Sequence, residues 1–195
     1  MSEFFETIKI DDAKIYNLEY HQQRYENTLK SLSITEFKSL ASYIKVAEKG
    51  LLRCKVIYDA KGIKNVEYFK YTKRKINSLK LVYADAKYMY KSTNREILDT
   101  LFEQKQQCDD ILIVQNNLIT DTSIANIALY KEGIWYTPKR VLLKGTTRQR
   151  YLDASKLVLK DIKVEDLGSY TKVALLNAMI DFDIILLNKG DFFVK

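Results

Sequence analysis

The sequence predicts an α+β fold in two subdomains, because short apolar strand patterns and amphipathic helix patterns alternate irregularly along the chain. Residues 1–84 are predicted to form a smaller α/β subdomain, and residues 85–195 a larger one. A length of 195 residues suits two small domains or one large one. A single proline, six glycines and 12% aromatic residues argue against disorder.

The first subdomain begins with a predicted strand over residues 4–10, followed by a turn at Asp11 and Asp12. A helix is predicted over residues 19–32, with Asn17 as its N-cap. A second helix is predicted from Thr35 to Gly50, with five residues facing inward: Phe37, Leu40, Tyr43, Ile44 and Ala47.

After Gly50 the apolar period changes to two, which is typical of strands. Residues 51–59 and 63–71 are predicted to form a hairpin, and residues 78–84 a further strand. The second subdomain is predicted to begin with a helix over residues 92–105. Short strands then follow at residues 111–115, 118–120, 124–130 and 133–137. Helices are predicted at residues 147–160, after Gly145, and near residues 173–179.

Composition and charge exclude several classes of protein. Cys54 and Cys108 form no CxxC motif, so we expect neither a disulfide scaffold nor a structural zinc site. The same cysteine usage predicts a reducing, cytoplasmic location. The single histidine, His21, argues against a His-rich metal site. We expect no signal peptide and no membrane span, because no apolar run approaches 18 residues.

The formal net charge of +7 favours anionic partners, although a solvated lysine-rich surface would give the same surplus. Aromatic and basic residues interleave in residues 68–75, a pattern that can stack bases and neutralise phosphates. No nucleic-acid-binding signature accompanies this run, and an edge strand with a solvated face is the favoured explanation. A nucleic-acid-binding module is therefore an alternative hypothesis, with nucleic acid an unlikely partner.

Three further segments are candidates for chemistry. Gly145, Thr146 and Thr147 open a predicted helix, where free N–H groups and hydroxyls suit a phosphate or simply cap the helix. Residues 119–130 place polar side chains in an apolar strand context, which indicates a buried network, a site lining or a turn. Lys91 precedes a helix near the subdomain junction, where a lysine can act as a Schiff-base nucleophile.

Taken in order, four segments resemble the class IV aminotransferases, which are the fold-type IV pyridoxal-phosphate (PLP) enzymes. Residues 4–28 resemble the opening strand and the His-x-x-Arg helix of that family. The segment YKSTNRE resembles the lysine segment, and ITDTSIANIAL resembles the Glu-x-Ser-x-x-Asn segment. The segment IWYTPKRVLLKGTTRQRYL resembles the Thr-Pro…Gly-x-Thr-Arg segment. The resemblance implies the two-subdomain architecture of D-amino-acid aminotransferases.

The resemblance also implies roles for individual residues. Lys91 takes the place of the lysine that holds the cofactor covalently and moves the Cα proton, and Arg24 matches the arginine that binds its phosphate. Asp121 stands where most members have a glutamate that pairs with the pyridine nitrogen. The remaining matches are Asn126 in the same segment, and Thr147 with the backbone of Thr146 at the phosphate-binding helix start.

The chain departs from the family pattern in three respects. The chain is short for the family, and Asp121 is one methylene shorter than glutamate. Residues 175–182 replace a Gly-Thr segment, where Asn177 is the candidate substitute. The resemblance implies a homodimer that acts on a small amino-acid-like substrate. The compact sequence favours a 4-amino-4-deoxychorismate lyase, with a D- or branched-chain amino-acid transaminase as the alternative and a cofactor carrier without catalysis as a third possibility.

Overall fold

The computed structural model describes residues 2–46, 49–186 and 192–194. The chain forms two compact units, one of Met1–Lys73 with Tyr90–Asn94 and one of Arg74–Met89 with Arg95–Lys195. This division differs from the predicted boundary between residues 84 and 85. The short segment that carries Lys91 belongs to the first unit because its backbone pairs with the first strand, through a bridge between Phe4 and Ser92.

The first unit is an antiparallel sheet with one helix packed against it. Its strands are β1 (Phe4–Asp11), β2 (Lys14–Ile15), β3 (Leu51–Asp59) and β4 (Gly62–Lys70), in the order β2-β1-β3-β4. The helix α1 (Leu18–Ser31) buries His21, Tyr25, Thr28 and Leu29, which recur at helical spacing. The predicted strand, helix and hairpin of this region are confirmed.

The second helix predicted from Thr35 to Gly50 is wrong. Among the described residues of this segment, only Leu40–Ser42 is helical, as a short 3-10 turn, although Leu40 and Ile44 are buried as expected. Side chains of other elements take the backbone N–H groups that a helix would use: Leu40 N donates to Gln22 Oε1 at 2.8 Å and Lys45 N to Tyr68 Oη at 2.7 Å. Ala47 lies outside the described residues.

The second unit is a larger mixed sheet. Its strands are β5 (Leu79–Tyr83), β6 (Asp110–Gln115), β7 (Leu118–Thr122), β8 (Asn126–Lys131), β9 (Ile134–Pro138), β10 (Val158–Lys160), β11 (Lys172–Asn177), β12 (Asp181–Leu186) and β13 (Phe193–Val194). They follow the order β10-β9-β8-β7-β6-β5-β13, and β11 lies between β8 and β12. The helices are α2 (Glu96–Glu103) and α3 (Thr146–Asp153), and Val164–Ser169 forms a 3-10 helix.

Two predicted helices of this unit need correction. The helix near residues 173–179 is wrong, because this segment is β11, an antiparallel strand with neighbours on both sides. A short apolar run buried on both faces cannot be assigned by periodicity alone. The helix predicted over residues 147–160 ends at Asp153, and Val158–Lys160 is instead paired with β9. Among the described residues, no helix is long and apolar enough to cross a membrane.

Candidate active site

The start of α3 is built to hold an anion. Gly145 is its N-cap, in an extended conformation and without a side-chain cap hydrogen bond. The first N–H groups of an α-helix have no acceptor within the helix, and the helix dipole concentrates positive potential there. Thr146 and Thr147, the first two helical residues, are both buried. Backbone N–H groups and two hydroxyls at a helix start therefore form a site that suits a phosphate.

Asn126 links this helix start to a buried carboxylate. Its Nδ2 donates to Asp121 Oδ1 at 2.7 Å and to the Leu143 carbonyl at 2.9 Å, while its Oδ1 accepts from Gly145 N at 3.1 Å. Asp121 and Asn126 are also directly opposite each other where β7 meets β8. One carboxamide thus satisfies three polar groups and sets the distance between Asp121 and α3.

Gly145 leaves the space that Asn126 occupies. A Cβ built on Gly145 would lie 2.0 Å from Asn126 Oδ1, far inside contact distance. Asn126 cannot move aside easily, because its hydrogen bonds hold it to Asp121 and Leu143. The glycine is therefore required by close packing at this point and not by its backbone angles, since its φ of −70° suits any residue.

Asp121 is a buried carboxylate whose oxygens are not all used by the hydrogen bonds of the described residues. Its Oδ2 accepts from Leu142 N at 2.8 Å and from Leu143 N at 2.9 Å, and its Oδ1 accepts from Asn126. A carboxylate has about four acceptor positions, so one on Oδ1 remains beyond these three bonds of the described residues. Burial raises the pKa of Asp121 to about 6, although the two N–H groups and Asn126 oppose the rise.

Arg148, in the first turn of α3, is a buried cation that joins the helix to β9. Its Nε donates to Thr137 Oγ1 at 3.2 Å and its NH2 group to the Pro138 carbonyl at 2.7 Å. Burial lowers the pKa of Arg148, and the charge of Asp121 opposes that effect. The positive charge of Arg148 in turn favours the ionised form of Asp121.

In the first unit, the segment that carries Lys91 adds a short pairing to the edge of β1. Phe5 N donates to the Lys91 carbonyl at 2.8 Å, and Thr93 N donates to the Glu3 carbonyl at 2.9 Å. The Lys91 Nζ lies 4.6 Å from the centre of the Phe5 ring, over its face. The backbone of Lys91 is therefore fixed against β1, and its ammonium group lies over an aromatic ring.

Arg24 lies on α1 and is bound side-on by Glu6 of β1. Its Nε donates to Glu6 Oε1 at 2.9 Å and its NH2 group to Glu6 Oε2 at 2.6 Å. The Nδ1 atom of His21, one turn earlier on the helix, lies 2.6 Å from the same Oε2. Glu6 was not among the site residues that the sequence motifs indicated. Its position between Phe4 and Ile8 on the inward face of an alternating strand was the available signal.

These three groups perturb one another strongly. Burial would raise the pKa of Glu6, but the charge of Arg24 and the hydrogen bonds from His21 and Arg24 outweigh it and lower the pKa to about 2. Burial lowers the pKa of His21, and the hydrogen bond to Glu6 only partly compensates. At neutral pH, therefore, Glu6 is ionised and His21 is neutral.

Other candidates from the sequence have structural roles. The Oδ1 atom of Asn177 accepts from Met179 N at 2.9 Å and from Ile180 N at 3.1 Å, so this side chain caps the turn between β11 and β12. In the basic run of residues 68–75, Tyr68 accepts from Lys45 N. Arg74 of the same run forms an ion pair of 2.6 Å with the buried Asp110.

The candidate residues thus fall into two groups. Asp121, Asn126, Thr146 and Thr147 lie together in the second unit, joined through Gly145 and the network described above. Arg24 and Lys91 belong to the first unit, where each is tied to a residue of β1.

Comparison with known proteins identifies the family. The sequence profile of the family described as amino-transferase class IV matches residues 3–184. An uncharacterized protein of Haemophilus influenzae is 33% identical over 186 residues, which cover 92% of this chain and 98% of that protein.

The chain belongs to the class IV amino-transferase family. Members of this family are PLP-dependent enzymes, and the resemblance stated from the sequence is confirmed. Membership of an enzyme family displaces the alternative hypothesis of a nucleic-acid-binding module, which rested on residues 68–75 alone.

Solved structures of class IV proteins confirm the predicted α+β, fold-type IV architecture. A candidate 4-amino-4-deoxychorismate lyase from Haemophilus somnus superposes with a TM-score of 0.84 at 33% identity, covering 92% of this chain and 97% of that one. A hypothetical aminotransferase from Mycobacterium tuberculosis in its PLP-bound form gives a TM-score of 0.79 at 14% identity, covering 99% and 84%.

Proposed function

We propose that this class IV enzyme binds PLP and acts on a small amino-acid-like substrate, and that its specific activity is that of a 4-amino-4-deoxychorismate lyase. The observation that carries the specific assignment is the similarity to the Haemophilus somnus protein, at 33% identity over 92% of the chain. The alternative is a D- or branched-chain amino-acid transaminase, since an aminotransferase shares the fold.

The residues present fit PLP at two of its groups. The cofactor phosphate is a dianion, and the uncapped start of α3 with its buried Thr146 and Thr147 provides N–H and hydroxyl donors. The pyridine nitrogen must stay protonated for the ring to withdraw electrons, and a buried carboxylate with one remaining acceptor position suits that N–H group. Asp121 meets this requirement, and Asn126 and the Leu142 N–H group hold its carboxylate in place.

The proposal gives each of these residues a defined role. Arg24 and the start of α3 bind the phosphate, and Asp121 keeps the pyridine nitrogen protonated. Lys91 would hold the cofactor covalently, and its amino group would accept and return the proton of the substrate Cα. When bound, PLP supplies the electron sink that stabilises negative charge at Cα.

Asn126 has a different task from the one that the resemblance implies. Both N–H bonds of its Nδ2 group are used, toward Asp121 and Leu143, and its Oδ1 accepts from Gly145 N. We therefore propose that Asn126 sets the positions of the carboxylate and the helix start instead of contacting the cofactor.

The lyase and transaminase hypotheses differ in what they consume. A lyase releases pyruvate from aminodeoxychorismate and needs no amino acceptor. A transaminase passes the amino group to a 2-oxo acid in a second half-reaction and so requires both substrates. Two incubations of the purified, PLP-loaded protein distinguish the lyase from the transaminase. One contains aminodeoxychorismate alone, and the other contains L- and D-amino acids plus 2-oxoglutarate. Pyruvate release from aminodeoxychorismate alone supports the lyase, and turnover only with an acceptor supports the transaminase.

A protein that binds PLP without turning over any member of this panel would match the carrier hypothesis. A homodimer and a cytoplasmic location remain part of the proposal. Sedimentation of the PLP-loaded protein tests the first, and fractionation of cells tests the second.

A further inference from the structure

The carboxylate of Glu6 is the most deeply buried charged group of the first unit, with no solvent exposure in the structure. It lies on the inward face of β1, on the same side of the strand as Phe4 and Ile8. Ionised carboxylates are almost never fully buried without partners, because removing the charge from water is costly. Glu6 has two such partners, the His21 imidazole and the Arg24 guanidinium.

The contacts define the protonation state of His21. An ionised carboxylate can only accept hydrogen bonds, so the His21 nitrogen that lies 2.6 Å from Glu6 Oε2 must carry a proton. That nitrogen is Nδ1. Because burial lowers the pKa of His21, the ring carries no second proton at neutral pH. The structure therefore implies the neutral Nδ1–H tautomer, with the lone pair on Nε2.

The contacts also fix the plane of the Arg24 guanidinium. Two bonds, from Nε to Oε1 and from the NH2 group to Oε2, attach one edge of the fork to Glu6 at 2.9 Å and 2.6 Å. A bidentate pair of this kind restricts the orientation of the whole planar group. The direction of the other N–H groups of Arg24 follows from that restriction.

We propose that Glu6 is a positioning residue of the cofactor site, which holds Arg24 in the orientation that receives the phosphate and holds His21 as its Nδ1–H tautomer. The part that concerns phosphate rests on the proposed function. The part that concerns His21 does not.

A simpler role for Glu6, charge neutralisation, has the opposite consequence. If Glu6 only neutralises Arg24, removing its charge leaves Arg24 more electropositive and tightens the binding of a phosphate dianion. If Glu6 orients Arg24, the same change loosens the guanidinium and weakens phosphate binding. The sign of one affinity change separates the two roles.

The first test uses the fact that the sequence contains one histidine. In the ¹⁵N-labelled full-length protein, long-range ¹H–¹⁵N correlations report the two ring nitrogens of His21 without any assignment problem. We expect a protonated Nδ1 and an unprotonated Nε2 at pH 7. A proton on Nε2 alone, or on both nitrogens, would overturn the proposal, and this result does not depend on whether PLP binds.

The second test compares PLP with pyridoxal, which lacks the phosphate. Glu6→Gln keeps the volume of the side chain, removes its charge and replaces one of its two acceptor oxygens by an NH2 donor. We expect the ratio of PLP affinity to pyridoxal affinity to fall about tenfold, because a charge-assisted bond that aligns Arg24 is lost. Glu67→Gln is the matched control, since Glu67 pairs with Lys55 at the partly exposed surface of β4, and its ratio should not change.

The outcomes separate the two proposals. A PLP-to-pyridoxal affinity ratio that stays constant or rises in Glu6→Gln overturns the positioning role. A constant ratio with an equal loss of affinity for both ligands would mean general structural damage. A wild-type protein that binds neither ligand would overturn the proposed function and the phosphate part of this inference, while the His21 tautomer still decides the other part. If Glu6→Gln does not fold, Glu6→Asp, which keeps the charge but is one methylene too short for the bidentate pair, gives the same ratio test.

Discussion

The Nδ2 atom of Asn126 lies 2.7 Å from the carboxylate of Asp121. Because Asn126 Oδ1 also accepts from Gly145 N, this side chain joins the buried carboxylate to the start of α3. The relationship matters because the two ends of PLP need two different environments. A phosphate needs donors, and a pyridinium needs an acceptor. In the proposed site, Asn126 contacts both the carboxylate of Asp121 and the helix start at Gly145, so a change at one member of the network should alter the others.

Gly145→Ala tests this coupling. The new methyl group would meet Asn126 Oδ1 at 2.0 Å and must displace it. We expect a loss of roughly 1–3 kcal/mol in the free energy of unfolding, as for overpacking of a filled site, together with weaker PLP binding. Gly168→Ala is the control, because a Cβ there would contact nothing within 4 Å. Urea unfolding and PLP titration of both variants measure the difference, and equal behaviour of the two would refute the coupling.

Arg24→Lys should weaken PLP binding by about 10- to 100-fold, because a charge-assisted bond to phosphate contributes roughly 1.5–3 kcal/mol and lysine cannot reproduce the fork. Lysine keeps a positive charge beside Glu6, which avoids the larger cost of a buried unpaired carboxylate. Arg53→Lys on β3, where Arg53 stacks on Phe69, serves as the control. Unchanged affinity in Arg24→Lys would show that Arg24 serves only the pair with Glu6.

The pH dependence of PLP binding should report Asp121. Its pKa is raised to about 6, so the carboxyl becomes protonated as the pH falls below 6 and can no longer stabilise a pyridinium. Because PLP itself titrates in this range, the useful quantity is the ratio of dissociation constants between Asp121→Asn and wild type. We expect this ratio to be large above pH 6 and to approach one toward pH 4. A ratio that is independent of pH would contradict a role for Asp121 at the pyridine nitrogen.

Asp121→Asn should also slow exchange of the substrate Cα proton more than it weakens PLP binding. The variant keeps nearly constant volume, while the phosphate site and Lys91 remain in place. Each 1.36 kcal/mol added to the barrier costs about tenfold in rate, and loss of the counter-charge should cost several kcal/mol. Exchange measured by NMR in deuterated water gives the rate, and near-native exchange would argue that Asp121 only organises the turn around Leu142 and Leu143.

Acid should destabilise the first unit through Glu6. The pKa of Glu6 is lowered from 4.5 to about 2 in the folded protein, so its contribution is complete above pH 4.5 and is lost as the pH falls toward 2. His21 acts in the same direction, since the unfolded chain binds its proton near pH 6.5 before the folded protein does. Urea midpoints between pH 7 and 3 should fall less steeply in Glu6→Gln than in Glu67→Gln. Parallel curves would exclude the linkage.

Much of the fold could be predicted from local patterns. The alternation that predicted the hairpin of β3 and β4 reflects burial on one face, a property that each strand carries in its own residues. The segment after α1 could not be predicted, because its backbone N–H groups bond to Gln22 and Tyr68, which are distant in sequence. Strand β11 could not be told from a helix, since both of its faces are buried: Val173 and Leu175 pack in one hydrophobic cluster, and Ala174 and Leu176 pack in another.

The candidate site shows the same contrast. The resemblance of four segments to the class IV family indicated Arg24, Lys91, Asp121 and the start of α3, because each belongs to a contiguous segment that can be matched without knowing the fold. The role of Asn126 as a bridge depends on its meeting Gly145, which is 19 residues away. The role of Glu6 depends on His21 and Arg24, which reach it from α1. Such contacts between elements are visible only in the folded chain.

The central claim is that Lys91 carries the cofactor, and reduction of the PLP-loaded protein with borohydride tests it most directly. Reduction makes the bond between cofactor and lysine permanent, and peptide mapping then locates it. We predict a pyridoxyl group on Lys91, its loss in Lys91→Ala, and normal labelling in Lys87→Ala, an exposed lysine four residues earlier. A pyridoxyl group on a different lysine, or no covalent label on a protein that binds PLP, would contradict the account.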